Sequence, residues 1–270
     1  IRKVILFLSN ISHYDYLYIT ENYCAILIGS AKAMKKILHP ASTRGQANYG
    51  WLEANYSFSF ANYFDPNRLQ FGQLRVLNDD KIAPGMGFGK HPHQNMEIVT
   101  IPLSGSLQHE DSLGHSGVVT SGEIQVMSAG HGVEHSEFNA LKDEALTLFQ
   151  IWIFPDTQNV TPRYDQRTIA PLLELNAMTP VVVPKSAATE NALWIHQNAY
   201  FYMGVFDQVT TTNIALHGAQ QGLYLMVIEG QINVDGVTLN RRDAIGIHDT
   251  QSVPFEASAD TKLLAIEIPM

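Results

Sequence analysis

The sequence predicts an all-β protein made of two tandem jelly-roll type β-barrels with few short helices, on three observations. Apolar and polar residues alternate in short runs, as in Ile98-Val99-Thr100-Ile101 and Glu123-Ile124-Gln125-Val126. Turn signals at Ser104-Gly105, Leu113-Gly114 and Ser121-Gly122 interrupt these runs every eight or nine residues, the pattern of antiparallel strands closing into a barrel or sandwich. The same texture then resumes at Val181 and looks like a second copy of the first half.

Taken in order, the chain opens with two apolar bursts, Val4–Leu8 and Cys24–Ile28, separated by the polar stretch Ser9 to Asn22. That interruption argues against the continuous apolar core of a signal peptide. Residues 1–33 are expected to be an upstream extension outside the working fold, with Met34 as the natural start. From Trp51 to Pro66 the text is aromatic, and Phe58 and Phe60 alternate with serines as in a strand with one buried face. These aromatics read as core. Leu74-Arg75-Val76-Leu77 is a strand, ended by Asn78-Asp79-Asp80. Leu146 to Phe154 is a strongly apolar strand stopped by Pro155-Asp156. A short helix is expected within Arg163 to Leu175, with Ile169, Leu172 and Leu173 as its stripe and Pro180 beyond its end.

In the second copy, Leu225–Ile232 matches Val99–Leu107, and Arg242–Ile247 echoes Gly122–Met127. The expected organisation is a metal-binding barrel over 34–165, a connector over 166–180, and a second barrel over 181–270 that lacks the metal ligands. Where the first copy has its histidine pair, the second has residues near Gln220 and Gly222. Where the first has His135-Ser-Glu137, the second has the Pro254-Phe-Glu256 neighbourhood.

Composition excludes several classes of function. With 17 basic against 26 acidic residues and a net charge of −9, there is no general attraction to phosphate backbones or anionic membranes, so neither nucleic acid nor membrane is expected as a partner. No run of eighteen apolar residues is present to span a bilayer. The single cysteine, Cys24, allows no intrachain disulfide and fits a reducing, cytoplasmic setting. A monomer is expected.

The chemistry concentrates between Gly85 and Glu137, where six of the eleven histidines lie between His91 and His135. A glycine-rich loop, Gly85-Met-Gly87-Phe-Gly89-Lys90, leads into His91-Pro-His93, and the stretch closes with Gly130-His-Gly132-Val-Glu-His135-Ser-Glu137. Side chains at i and i+2 of a strand share a face, with Cα atoms about 6.5 Å apart. His91 and His93 can therefore point together into a barrel, as can His135 and Glu137. Three imidazoles and one carboxylate converging at roughly 2.0–2.2 Å on a cation make a first shell. Glu97 has the same strand parity as the first pair, and parity alone does not choose between it and Glu137. His109 and His115 read as loop or strand-end residues, His131 as a residue at the mouth of the site, Trp152 and Met127 as core, and Arg241-Arg242 as a solvated turn.

The spacing of Gly85, His91, His93, Glu97, Gly122 and His135 resembles the paired motifs of cupin barrels. More specifically, Phe58–Pro66, Gly87–His93, His109-Glu-Asp-Ser112, Ser116-Gly117 and Met127–Glu137 resemble the pirin family of two-barrel cupins, and within it the bacterial pirin-like quercetin 2,3-dioxygenases. The resemblance runs from about Lys35 to the C-terminus. It implies His91, His93, His135 and Glu137 as ligands of one divalent transition metal, iron(II) first, with manganese, cobalt, nickel, copper or zinc as alternatives. Glu97 then becomes a carboxylate behind the site or at the core edge. Where pirins often carry arginines, this chain has Gln94 and His131. The implied activity is dioxygenase cleavage of a flavonol such as quercetin by O2 with release of carbon monoxide, Glu137 acting as proton acceptor. The resemblance also implies a rival function, a metal-dependent regulatory binding protein without catalysis.

Overall fold

The computed structural model describes residues 34–270 together with Tyr18–Thr20 and Tyr23–Ala25. The expectation for residues 1–33 falls largely outside the described residues. The first strands are β1 (Tyr18–Thr20), β2 (Tyr23–Ala25), β3 (Lys35–His39), β4 (Gly45–Asn48), β5 (Leu52–Tyr56), β6 (Leu74–Ile82), β7 (Gly87–His93) and β8 (Glu97–Ser104). They are followed by β9 (Ser106–Asp111), β10 (Ser116–Thr120), β11 (Glu123–Ser128), β12 (Val133–Asn139), β13 (Leu146–Ile153) and β14 (Arg163–Thr168). The second half contributes β15 (Ala177–Pro184), β16 (Leu193–Ile195), β17 (Tyr200–Phe206), β18 (Thr210–Ala215) and β19 (Gln221–Glu229). It ends with β20 (Gln231–Val234), β21 (Val237–Asn240), β22 (Ala244–His248), β23 (Ser252–Ala257) and β24 (Thr261–Pro269). Among the described residues the helices are three single 3-10 turns, Ala41–Thr43, Ala170–Leu172 and Lys185–Ala187.

Each half is a sandwich of one large and one small sheet. In the first, β10-β9-β12-β7 covers β14-β11-β8-β13-β6-β5-β4; in the second, β18-β23-β20-β21 covers β16-β15-β17-β24-β19-β22-β3. Two tandem cupin barrels are thus the architecture. The repeat read from the sequence holds at the level of the sheets: β19 occupies the place of β8, and β22 that of β11.

Three expectations are corrected. The strand Lys35–His39, placed with the first barrel, pairs antiparallel with β22 of the second. It fills there the edge position that β14 fills beside β11. The short helix expected within Arg163 to Leu175 is only the 3-10 turn Ala170–Leu172 after Ile169. The residues before it, Arg163–Thr168, form strand β14, because pairing with β11 satisfies their backbone. The counterpart of the histidine-bearing β7 is β18, Thr210–Ala215, rather than the neighbourhood of Gln220, while the counterpart of β12 is β23, which contains Pro254 and Glu256 as expected.

The two large sheets pack back to back. Leu77, Val99, Ile101, Val126, Phe149 and Ile151 from the first half share one core with Phe201, Tyr224, Met226, Leu264 and Ile266 from the second. Each such fully buried side chain contributes about 1.5–3 kcal/mol. An ion pair crosses the same boundary. Arg242 Nε lies 3.2 Å from Asp79 Oδ2, and its guanidinium sits 5.2 Å from the centre of the Phe149 ring. Arg241 faces solvent as expected for a turn residue, but Arg242 turns inward.

Glycine permits a close approach between the halves. A Cβ on Gly246 would lie 2.5 Å from the ring of Phe71, which is itself buried against Tyr224. Gly246→Ala should therefore destabilise the chain by about 1–3 kcal/mol, and combining it with Phe71→Leu should recover part of the loss. Urea unfolding measures both, and a Gly246→Ala midpoint equal to wild type would contradict this packing.

Candidate metal centre

Strands β7 and β12 lie side by side in the small sheet of the first half, with His91 opposite His135 and His93 opposite Val133. A bulge between His135 and Glu137 breaks the register, so that Glu137 comes opposite Phe88. On its other side β12 pairs with β9, which sets Glu137 opposite His109 and His135 opposite Asp111. The rings of His91, His93 and His135 form a triangle with centroids 4.5–4.9 Å apart, and each offers a nitrogen within 4.8 Å of the others. A second group of the same span joins His109, His135 and Glu137. His135 belongs to both.

The donor set suits a cation. His91 Nδ1 donates to the Gly89 carbonyl at 2.8 Å, which leaves its Nε2 lone pair free for a metal. His93 Nε2 and both ring nitrogens of His135 are buried without a hydrogen-bond partner. Burial first, then the neighbouring His135 and His91, pulls His93 down to about 4. Burial, then His91 and His109, pulls His135 down to about 3. Both are therefore neutral lone-pair donors at pH 7. Unpaired buried nitrogens are costly, and a bound ion relieves that cost.

Glu137 is held from the opposite sheet. Gln150 Nε2 donates to Oε2 at 2.7 Å and Gln125 Nε2 to Oε1 at 3.1 Å, with Thr100 Oγ1 at 3.4 Å from Oε1. These residues lie on one cross-strand rung, Tyr56–Asn78–Gln150–Thr100–Gln125, running over β5, β6, β13, β8 and β11. Glu97 is elsewhere. It shares the strand face of Val99 and Ile101, which pack between the two halves, and is fully buried with Ser128 Oγ donating to it at 2.8 Å. Neither group of potential ligands includes it. Of the two positions proposed for it, the core edge is the one it occupies.

A cavity of about 390 Å³ opens beside the triangle, lined by His91, His93, His135 and Glu137, by Tyr49, Trp51, Tyr56, Phe60, Phe88 and Trp152, and by Asn78, Asp80 and Gln150. Trp152 stands edge-on to His93 at 4.9 Å, and Phe60 edge-on to Trp152 at 5.3 Å. The reading of the aromatics as core holds for Tyr56, with Trp51, Phe60 and Tyr63 packed on its cluster, and for Trp152, though Tyr56, Trp51, Phe60 and Trp152 also form the cavity wall. It is corrected for Phe64, which is 73% exposed, whereas Met127 is fully buried as expected. The strand end expected at Asn78-Asp79-Asp80 is also corrected, because β6 runs through these residues to Ile82. Asn78 and Asp80 face the cavity, while Asp79 faces the other way, toward Arg44 and Arg242. Their i, i+2 spacing was the available signal.

His131 is exposed and lines a separate open depression with Pro92, Gln94 and Glu134, not the cavity beside the imidazoles. His115 sits at a strand end as expected. His109 does not: it is fully buried inside β9, stacked on Tyr164 at 4.6 Å, with Nε2 3.4 Å from Asp111 Oδ2.

Known proteins match along most of the chain. The Pirin family profile matches residues 38–153, and that of the quercetinase C-terminal cupin domain matches residues 181–268. A protein of Escherichia coli K12 named quercetin 2,3-dioxygenase is 40% identical over 234 residues, 86% of this chain and 98% of its own. A pirin-like protein of Caulobacter vibrioides is 38% identical, over 84% of this chain and 97% of its own. Among solved structures, the bacterial pirin YhhW of Escherichia coli in complex with nickel(II) superposes with a TM-score of 0.81 at 38% identity, covering 87% of this chain and 99% of that one.

The cluster supports a divalent metal. Purified protein should carry close to one transition metal per chain, and His93→Ala or His135→Ala should lose it. Elemental analysis finding full occupancy in both variants would sink the ligand assignment. In the second half the β23 residues that face inward are Val253, Phe255 and Ala257, so crystals of the metal-loaded protein should give one anomalous peak, with none between β18 and β23.

Proposed function

The chain belongs to the pirin family, and from that premise we propose that it is a metal-dependent dioxygenase that cleaves a flavonol such as quercetin with O2 and releases carbon monoxide. The observation that carries the reading is the placement of the imidazole triangle and Glu137 on the wall of an aromatic-lined cavity of about 390 Å³, a size that suits a drug-sized flat ligand. The relatives named quercetin 2,3-dioxygenase support it.

In this reading His91, His93, His135 and Glu137 hold the metal. When bound, a divalent ion such as iron(II) supplies a Lewis acid and a template for the hydroxyl and carbonyl oxygens of the flavonol. The protein's own residues do the rest. Trp152, Phe60 and Trp51 give the flat rings an apolar slot and keep water from the reacting carbons. Glu137 accepts the proton of the flavonol hydroxyl at a carboxylate oxygen. Gln150, Gln125 and Thr100 keep that carboxylate in one orientation, so little is spent on arranging it during the reaction. The flavonol anion then reacts with dioxygen, the heterocycle opens, and one ring carbon leaves as carbon monoxide.

The test is loss of flavonol absorbance under air against an anaerobic control, with carbon monoxide measured in the headspace. Metal-loaded protein should release it well above free metal. Glu137→Gln should lower turnover by about 100-fold or more, because an amide cannot take the hydroxyl proton. If protein loaded in turn with iron, manganese, cobalt, nickel and copper releases no more than the free ions, the dioxygenase reading fails, and a metal-dependent binding partner would favour a regulatory role.

A further inference from the structure

Apart from the groups assigned to the metal, three side chains on the cavity wall carry a buried polar atom with no hydrogen-bond partner: Asn78 Oδ1, Asp80 Oδ1 and Trp152 Nε1. Asn78 and Asp80 are only 3% and 4% exposed. Native interiors rarely leave such atoms unpaired, and those that remain call for an explanation. All three lie on the adjoining strands β6 and β13, where Asp80 is opposite Leu148, Asn78 opposite Gln150, and Val76 opposite Trp152. Asp80 thus lies roughly 13 Å along the strands from Trp152, which packs on His93, and about 6.5 Å from the level of Gln150, which holds Glu137. A flat ligand with one edge at the imidazoles therefore extends along the cavity wall to Asp80.

We propose that Asp80, with Asn78 beside it, is a specificity-determining subsite that hydrogen-bonds a hydroxyl on the end of the aromatic substrate remote from the metal. The ligand class rests on the flavonol reading above; the unpaired carboxyl does not. Burial first, then Asp79 on the same strand and Glu137 from β12, pushes Asp80 up to about 8. Tyr56 on β5 faces it as well, and His91, His93 and His135 share its cavity. At neutral pH it is mostly a neutral carboxyl, which donates one hydrogen bond and accepts another. A phenolic hydroxyl does the same, so the two are complementary. A ligand bearing a carboxylate or an ammonium at that end would be a poorer match.

The experiment titrates metal-loaded protein under nitrogen with quercetin and with 3-hydroxyflavone, which keeps the metal-binding oxygens but lacks the remote hydroxyls. Wild type should bind quercetin at least about tenfold more tightly, because a site built for a hydroxyl rejects the analogue that lacks it. Asp80→Leu should bring the two within about threefold with metal content unchanged, while Asp80→Asn, which keeps a donor and an acceptor, retains most of the preference. An undiminished preference in Asp80→Leu overturns the inference. Binding of neither flavonol to wild type removes the flavonol reading, and thermal stability then decides the Asp80 inference by itself. The sign follows from the raised pKa. Below about 4 the carboxyl is protonated in both folded and unfolded chains, whereas from there to about 8 only the unfolded chain loses the proton, so the folded state loses stability as pH rises. Asp80→Leu should raise Tm by an amount that grows from pH 4 to pH 8. A lowered Tm at pH 7 would show that Asp80 holds the fold and would overturn the subsite.

Discussion

A carboxylate buried between two β-sheets is tolerated only if hydrogen bonds replace the water it has lost, and Glu137 meets that condition through a polar rung on the facing sheet. Gln150 and Gln125 reach it from two strands, with Thr100 between them on a third. None of the three glutamine and threonine side chains would be expected inside a sandwich for its own sake. Their presence is explained by the carboxylate they hold, and the carboxylate by the imidazoles on the neighbouring positions of β7 and β12. The bulge after His135 matters for the same reason, since it changes the register of Glu137 against β7.

The second half shows what the same architecture does without that constraint. Across its corresponding strands one rung reads Tyr202–Ala265–Leu225–Ile245, and its interior is filled by Leu223, Val227, Val234, Val253 and Phe255. Apolar burial stabilises that part of the interior. The second half also serves as a support. Its large sheet buries the outer face of the first sheet and so leaves that sheet's inner face free to be polar. Much of the apolar strength of the molecule thus lies between the halves and in the second barrel, although Glu267 is buried there against Tyr202 and His217. The first barrel carries the unpaired imidazole nitrogens, the buried Asp80, Glu97 and Glu137, and the cavity. Proteins commonly hold functional groups at a cost in stability in this way.

Some polar groups occupy places that local sequence rules do not predict. Asn-Asp-Asp is turn text on any local rule, yet in β6 the outer residue Asp79 is neutralised by Arg44 and Arg242 while its neighbours face the cavity. Arg242 was equally opaque, because its partner Asp79 is 163 residues away in the chain and belongs to the other half. His109 looked like a strand-end residue because a turn follows closely; only the pairing of β9 with β12 shows it to be fully buried behind the imidazoles.

The sequence by itself determined the strand-rich class, the repeat, and the sharing of one strand face by His91 with His93 and by His135 with Glu137, because period-two alternation, turn residues and i, i+2 spacing are local properties of a strand. The preference for Glu137 over Glu97 came from the family resemblance. The tertiary structure alone decided which face of each strand is the inside of a barrel and which is the seam between barrels. Glu97 and the cavity residues show why. Glu97 has the parity expected of a ligand, but its strand lies in the large sheet and that parity turns it toward the seam, whereas Trp51, Tyr56, Phe60 and Trp152 have the composition of a core and line a cavity. Alternation tells two faces apart but does not say what each one meets, because that depends on which sheets the strand lies between.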